Sequence, residues 1–200
     1  GNVHTVISEG RTVLEAINIA QTFSERQLFL GHMSVSIIGE DAAKEDLAKY
    51  IDFISRGLEA RLSQRIYIAK GSTAEEFMVN SIQSYHSLPT VMQHLSGDNE
   101  ITSTSGEIKL IELMNMLDTK YAGIFIPAIR IAEGKSAQAQ GEENTVDIEL
   151  DGYAIIYDNK LQYYTDKKLS TAINIANNKY INGDIVISDP YGSYVTLEIV

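Results

Sequence analysis

Cysteine and tryptophan are both absent from this chain of 200 residues. Without cysteine there is no disulfide framework, no thiolate nucleophile and no thiolate metal site. Sites built from histidine and carboxylate remain open, but the histidines show neither an HExxH pair nor metal-ligand spacing on one helix. They are His4, His32, His86 and His94. The sequence therefore predicts no metal and no other cofactor.

Long apolar runs are absent as well. No run approaches the ~20 residues that span a bilayer, and the longest candidate, Ala122 to Ala132, is interrupted by Pro127 and Arg130. The start of the chain shows no signal-peptide pattern, and its first residue is Gly1 rather than methionine. From these features we expect a soluble chain, whose Gly1 is either a tag remnant or the start of a truncated piece.

Basic residues are scarce relative to acidic ones. The 16 lysines and arginines face 27 acidic side chains, which gives a formal net charge of -11. Such a field repels nucleic acid and anionic lipid headgroups. Basic residues do cluster at Arg61 to Lys70 and at Lys167 and Lys168, but neither group forms a long stripe interleaved with aromatic residues. We therefore exclude nucleic acid as a partner.

The composition that remains, 44% hydrophobic and 22% charged, is typical of a globular protein. Helical and strand periods alternate along residues 1–132, which predicts a mixed α/β fold whose sheet has alternating strands and helices. Residues 133–145 are small and polar without an apolar period and are predicted to be a linker. Residues 146–200 are predicted to form a smaller α+β second domain with antiparallel strands.

Local signals locate individual elements. Val3 to Ile7 is predicted to be a strand, and Arg11 to Phe23 a helix whose apolar stripe packs on a sheet. Asp41 is the predicted N-cap of a helix that runs toward Ile54. Ser72 with Glu75, and Thr104 with Glu107, have capping-box spacing and predict two more helix starts.

A histidine between two glycines opens the segment "GHMSVSIIGED". If this segment is a strand, His32, Ser34 and Ser36 share one face, which suggests a serine hydrolase. The sequence has no GxSxG elbow and no nearby acid or oxyanion donors, so we favour a structural interpretation. Glu9, Glu15 and Glu40 are likewise interpreted as solvated charges rather than acid–base pairs, although the catalytic alternative stays open.

Two further features are ambiguous. "DGYAIIYDNK" starts like a calcium loop but lacks the alternating oxygen ligands and closing glutamate of an EF-hand. The eleven tyrosines suit either a recognition surface or ordinary strand positions.

Taken in order, five segments resemble the Ger(x)C family, the C subunits of bacterial spore germinant receptors. They are "SEGRTVLEAI" (Ser8 to Ile17), "RQLFLGHMSVSIIGED" (Arg26 to Asp41), "RIYIAKG" (Arg65 to Gly71), "FIPAIRI" (Phe125 to Ile131) and "LDGYAIIYDNKL" (Leu150 to Leu161). The positions that carry the resemblance are Gly10, Glu15, Gly31, His32, Gly39, Glu40, Lys70, Gly71, Pro127, Gly152 and Ala154. The resemblance implies that these residues are structural or contact a partner, and that none is catalytic.

The resemblance also implies a biological setting. A Ger(x)C protein is expected to be a non-enzymatic lipoprotein on the outer face of the spore inner membrane, assembled with integral membrane subunits of the A and B types. This chain would represent two of three domains, without the lipid-accepting cysteine, the third domain or the strands expected before Val3. Partners would bind through exposed strand edges or tyrosine-rich surfaces. The alternative is a module that binds an amino acid or sugar germinant between the two domains.

Overall fold

The computed structural model describes residues 6–23, 28–57, 60–83, 104–119, 123–132, 147–179, 183–188 and 194–199. The α-helices in these ranges are α1 (Val13–Thr22), α2 (Glu40–Gly57), α3 (Ala74–Gln83), α4 (Leu110–Leu117) and α5 (Lys167–Ala176). The strands are β1 (Val35–Ile38), β2 (Arg65–Ala69), β3 (Ile124–Ala132), β4 (Asp147–Tyr157), β5 (Lys160–Tyr164), β6 (Gly183–Ser188) and β7 (Tyr194–Ile199). A 3₁₀ turn, Leu30–His32, precedes β1.

Five strands form one mixed sheet in the order β1-β2-β3-β4-β5. The first three are parallel, whereas β4 and β5 are antiparallel to their neighbours. Parallel neighbours need crossover connections, and α2 supplies the one between β1 and β2. Strands β6 and β7 form a separate antiparallel pair. The prediction of a mixed α/β fold is confirmed.

Helices cover both faces of the five-stranded sheet, because alternate residues of a strand point to opposite sides. In β2, Ile66 and Ile68 belong to the larger core cluster, to which α2 and α4 contribute apolar side chains. Tyr67 and Ala69 belong to the second cluster, which is closed by Phe77 of α3. The near-continuous apolar run of β2 is what a strand buried on both faces requires.

Strands from both sides of the predicted linker belong to one sheet. Strands β3 and β4 lie on either side of residues 133–145 in sequence, yet they pair over most of their length. The linker itself lies outside the described residues. Ala154 and Ile156 of β4 contribute to the larger core cluster together with β2 and β3. The division into two domains at residue 132 stays a prediction, and the sheet is continuous across it.

Two helices start later than predicted. Helix α4 begins at Leu110 rather than near Glu107, because Ile108 accepts a backbone hydrogen bond from Ile66 and Leu110 donates one to Gln64. At α3 the reciprocal capping bonds join Thr73 and Glu76, one residue after the predicted pair.

Helices α1 and α2 also differ from their predictions. Helix α2 begins at Glu40, so Asp41 lies in its first turn rather than at the N-cap, and the helix is interrupted at Asp46, whose backbone is extended. The freed N–H of Leu47 donates to the carbonyl of Asn159 at 2.7 Å. Helix α1 contacts α2 and has no buried residue, and Val6 and Ile7 lie in no strand. Residues 3–5 of that predicted strand lie outside the described part.

Candidate functional site

A polar cluster lies where the parallel strands β1 and β2 end. In open α/β sheets the carboxyl ends of parallel strands are the usual place for binding sites, because the connecting loops leave side chains free there. We call this group the strand-end cluster. It consists of Glu40, Lys44, Lys70, Gly71, Arg130, Asp151 and Tyr164.

Glu40, the first residue of α2, is at the centre of this cluster. Its Oε2 accepts hydrogen bonds from the N–H of Gly71 at 2.9 Å and from the hydroxyl of Tyr164 at 3.0 Å. Its Oε1 lies 2.5 Å from Nζ of Lys44. The Lys44 ammonium and then the Gly71 N–H lower the pKa of Glu40, whereas burial and then Glu40 raise the pKa of Tyr164. At neutral pH the carboxylate is therefore ionised and the phenol is protonated.

Lys70 and Asp151 form the second half of the cluster. Lys70 Nζ lies 2.7 Å from Asp151 Oδ2 and 5.1 Å from the ring centroid of Tyr164, a cation–π distance. Arg130 Nε approaches the same Asp151 oxygen at 3.4 Å. Both side chains of the short ion pair are partly shielded, with exposed fractions of 29% and 24%. Partial burial makes such a pair stronger than a surface pair.

A β-bulge brings Asp151 to this position. One residue of β3, Ala128, lies opposite two residues of β4, Asp151 and Gly152. Gly152 has φ +73°, and a Cβ there would lie 2.7 Å from the carbonyl oxygen of Thr165. Only glycine combines this left-handed backbone with so close an approach. The bulge re-aims the strand locally, as bulges near functional sites commonly do.

The chemistry available to the strand-end cluster is binding and positioning rather than proton transfer. A general acid needs a carboxyl pKa near the working pH, whereas the pKa of Glu40 is lowered. Asp151 is held in ion pairs by Lys70 and Arg130. The cluster therefore ties the N-terminus of α2, the end of β2, the β4 bulge and β5 together.

Similarity to known proteins identifies the family of this chain. The family model for the spore germination protein N-terminal domain matches residues 1–131, more than half of the chain. This chain belongs to the spore germination protein family. It is 26% identical over 171 residues to "Putative spore germination protein YfkR" of Bacillus subtilis (strain 168). That match covers 85% of this chain and 42% of the relative, so the chain spans less than half of the relative's length. No solved structure matches.

The resemblance to the Ger(x)C family is confirmed by these two matches. Of the positions that carry it, Glu40, Lys70 and Gly71 meet in the strand-end cluster, and Gly152 forms the bulge beside Asp151. Gly39 lies between β1 and α2, where its carbonyl accepts the N–H of Ala43. The structure thus brings family positions that are distant in sequence together near the carboxyl ends of β1 and β2.

Other family positions lie elsewhere. At the start of α1, Glu15 accepts the N–H of Arg11 at 2.7 Å. A Cβ on Gly10 would lie 2.5 Å from the backbone nitrogen of Ala16. Pro127 is buried at the β3–β4 bulge, one of the settings in which a sheet tolerates proline, and Ala154 is buried in the core. These four residues shape the backbone or fill the core.

Gly31 and His32 lie before β1, in the 3₁₀ turn. His32 is exposed and stacks edge-to-face on Phe29, with ring centroids 5.1 Å apart. The strand begins only at Val35, so strand alternation does not align His32 with the serines. Ser36 donates to Oε1 of Gln64 at 2.7 Å. The predicted His-Ser-Ser stripe is therefore wrong, because its first member lies in a turn.

Sequence reasoning missed Tyr164 and Asp151 as cluster members. Tyr164 is 124 residues from Glu40, and Asp151 is 81 residues from Lys70. The only local signal was Gly152, a glycine inside a strand pattern, which is typical of a bulge. The calcium-like "DGYAIIYDNK" is a hairpin whose turn residues Asp158 and Asn159 both have positive φ.

The described residues contain no group of three or more His, Asp or Glu side chains placed to hold a metal ion. None of their helices combines the length and apolarity needed to cross a membrane.

Proposed function

We propose that this chain is part of a non-enzymatic lipoprotein subunit of a nutrient receptor, which acts in spore germination by assembling with integral membrane subunits of the A and B types. Anchoring by lipid to the outer face of the spore inner membrane is part of the proposal. The family supports a role in germination. The observation that carries the assembly role is an apolar surface around α1.

Exposed large apolar side chains are frequent between Val6 and Phe29, and we call them the N-terminal apolar surface. Phe23 is 68% exposed, Ile7 61% and Phe29 58%. Val6, Leu14 and Leu28 are also exposed, and α1 has no buried residue to anchor it in the core. A concentration of exposed apolar side chains of this kind marks a protein or membrane interaction surface. Aromatic anchors among them are the residues expected to dominate binding energy.

The strand-end cluster supports a non-enzymatic role. Its carboxylates and its tyrosine are engaged with one another and with backbone groups, so they hold elements together. The tyrosines suggested from the sequence as a recognition surface do not all face solvent. Tyr153 is buried, while Tyr157 and Tyr163 are exposed. The N-terminal apolar surface is therefore the stronger basis for assembly.

A binding titration of this chain against the soluble domain of its cognate integral subunit tests the proposal. We expect saturable binding, weakened about tenfold or more in a Phe23→Ser/Phe29→Ser variant because aromatic anchors are lost. Leu62→Ser, at a residue 47% exposed outside this surface, is the matched control and should bind like wild type. Calorimetry with amino acids and sugars runs alongside. The proposal is contradicted if the chain does not bind the subunit, or if it binds only a nutrient.

A further inference from the structure

Helix α5 is oriented with polar residues inward. Its buried residues are Ser170 and Asn174, at 0% and 1% exposure. Asn174 Oδ1 accepts the hydroxyl of Tyr153 at 2.6 Å, and the Ser170 hydroxyl lies 2.7 Å from that of Thr165. The two residues are four positions apart and therefore share one face. This polar face holds α5 on β4.

The opposite face of α5 is apolar between two exposed lysines. A rotation of 100° per residue places Lys168, Leu169, Ala172, Ile175 and Ala176 away from Ser170 and Asn174. Lys179 follows the C-terminal end of α5, where its backbone N–H donates to the carbonyl of Asn174. We call these six exposed residues the α5 outer stripe. Leu169 and Ile175 are 43% and 46% exposed. Apolar residues thus occupy the solvent side of a helix whose core side is polar.

The chain segment that contains this stripe is basic, whereas the protein as a whole is acidic. Residues 157–179 contain four lysines and two aspartates, a net +2, in a chain of net charge -11. One of the aspartates, Asp166, is committed to capping α5, since its side chain accepts the N–H of Leu169 at 2.8 Å. A basic apolar patch on an acidic protein selects an acidic partner.

We propose that the α5 outer stripe docks a segment of a partner protein that is apolar at its centre and acidic at both ends. The inference rests on the proposed function, because it names a second contact of an assembling subunit. Each lysine end pairs with a carboxylate of the partner, while Leu169 and Ile175 supply the apolar contact.

Charge favours a partner protein over a second copy of this chain and over an anionic membrane. A second copy docked through the same stripe places lysine against lysine in either orientation, because Lys168 and Lys179 lie at opposite ends. An anionic membrane is a wide plane, so it also approaches the acidic remainder of the protein surface. That surface repels it. A narrow protein segment meets only the stripe and its lysines.

Site-specific photo-crosslinking in spores that make the complete protein tests this inference. A photoreactive residue replaces Ile175, with Lys49, exposed on α2, as the control position. We expect Ile175 to crosslink to one protein, at a peptide with acidic residues flanking apolar ones. Lys168→Glu/Lys179→Glu should reduce the crosslink at least tenfold, Lys49→Glu should not, and reversing the partner's acidic residues should restore it. Circular dichroism confirms that the variants are folded.

Four outcomes overturn the inference: a crosslink to lipid, to a second copy, to residues 183–199 of the same chain, or to nothing. A second photoreactive residue, in place of Phe23, tests the proposed function independently of the α5 inference. If Phe23 captures an integral subunit while Ile175 captures no partner protein, the α5 inference fails and the proposed function stands. If neither position captures a protein, both fail.

Discussion

Gly152 shows how one residue can hold several contacts in place. Its positive φ creates the bulge, and its missing side chain lets Thr165 approach. Thr165 in turn donates its backbone N–H to the carbonyl of Tyr153 and accepts the N–H of Tyr153 on its hydroxyl. Ser105 donates to the carbonyl of Gly152 at 3.0 Å. A side chain at this position would disturb β4, β5 and the start of α5 together.

Gly152→Ala is expected to lower the free energy of unfolding by about 3 kcal/mol or more, because backbone strain of about 1–2 kcal/mol adds to a steric clash. Gly71→Ala is the matched control, since its φ of +70° is similar but no atom lies within 4 Å of the added Cβ. It should lose about 1 kcal/mol. Urea unfolding followed by circular dichroism measures both. Equal losses would show that crowding at Gly152 is not the cause.

Among the secondary-structure elements, the tie between α2, β2 and β5 depends on one carboxylate. Glu40 of α2 receives the N–H of Gly71, which follows β2, and the hydroxyl of Tyr164 of β5. The N–H of Leu47, freed at the α2 interruption, adds a second link to the β4–β5 turn. Two polar links therefore help to hold α2 against the sheet.

The stabilisation from Glu40 should depend on pH. Its folded-state pKa is lowered, so the stabilisation is complete above the unfolded pKa, near 4.3, and is lost as pH falls through the folded pKa. Glu40→Gln should cost about 1 kcal/mol at pH 7, and the difference from wild type should vanish in strong acid. Urea unfolding between pH 7 and pH 2.5 measures this.

Glu9→Gln is the control for that series, because Glu9 is exposed. It should change the free energy of unfolding by less than about 0.5 kcal/mol at every pH. A Glu40→Gln difference that persisted unchanged at pH 2.5 would mean that the charge of Glu40 is not what stabilises the tie.

In the molecule as a whole, the five-stranded sheet joins residues that the sequence places in separate units. Strand β3 is flanked by β2 and β4, and the larger core cluster draws on α2, α4 and strands β1 to β5. The family model ends at residue 131, inside β3. Whether residues 1–131 fold alone is therefore a direct test of the domain prediction.

A chain that ends at residue 131 should not unfold cooperatively. It loses β4 and β5, which exposes one edge of β3 and removes Ala154, Ile156 and Leu161 from the core. Thermal unfolding by circular dichroism, with sedimentation to detect aggregation, compares it with residues 1–200. A cooperative transition in the shorter chain would instead support an independent first domain.

Local order could be predicted from the sequence where neighbouring residues decide it. Helix α1 occupies Val13–Thr22, within the range Arg11 to Phe23 that its apolar period predicts. Helix starts shifted where distant backbone competed for the same groups, as at Leu110, whose N–H bonds to Gln64. Period and capping are short-range effects, so a sequence displays them directly.

The strand-end cluster could be predicted only in part. Family resemblance marks Glu40, Lys70 and Gly152, but no local pattern pairs Glu40 with Tyr164 or Lys70 with Asp151. Those pairs depend on the order of strands in the sheet and on a bulge that changes register by one residue. Composition, element types and family were thus readable along the chain. Strand order, register and the outward apolar face of α5 arise from packing, since they depend on contacts between residues far apart in sequence.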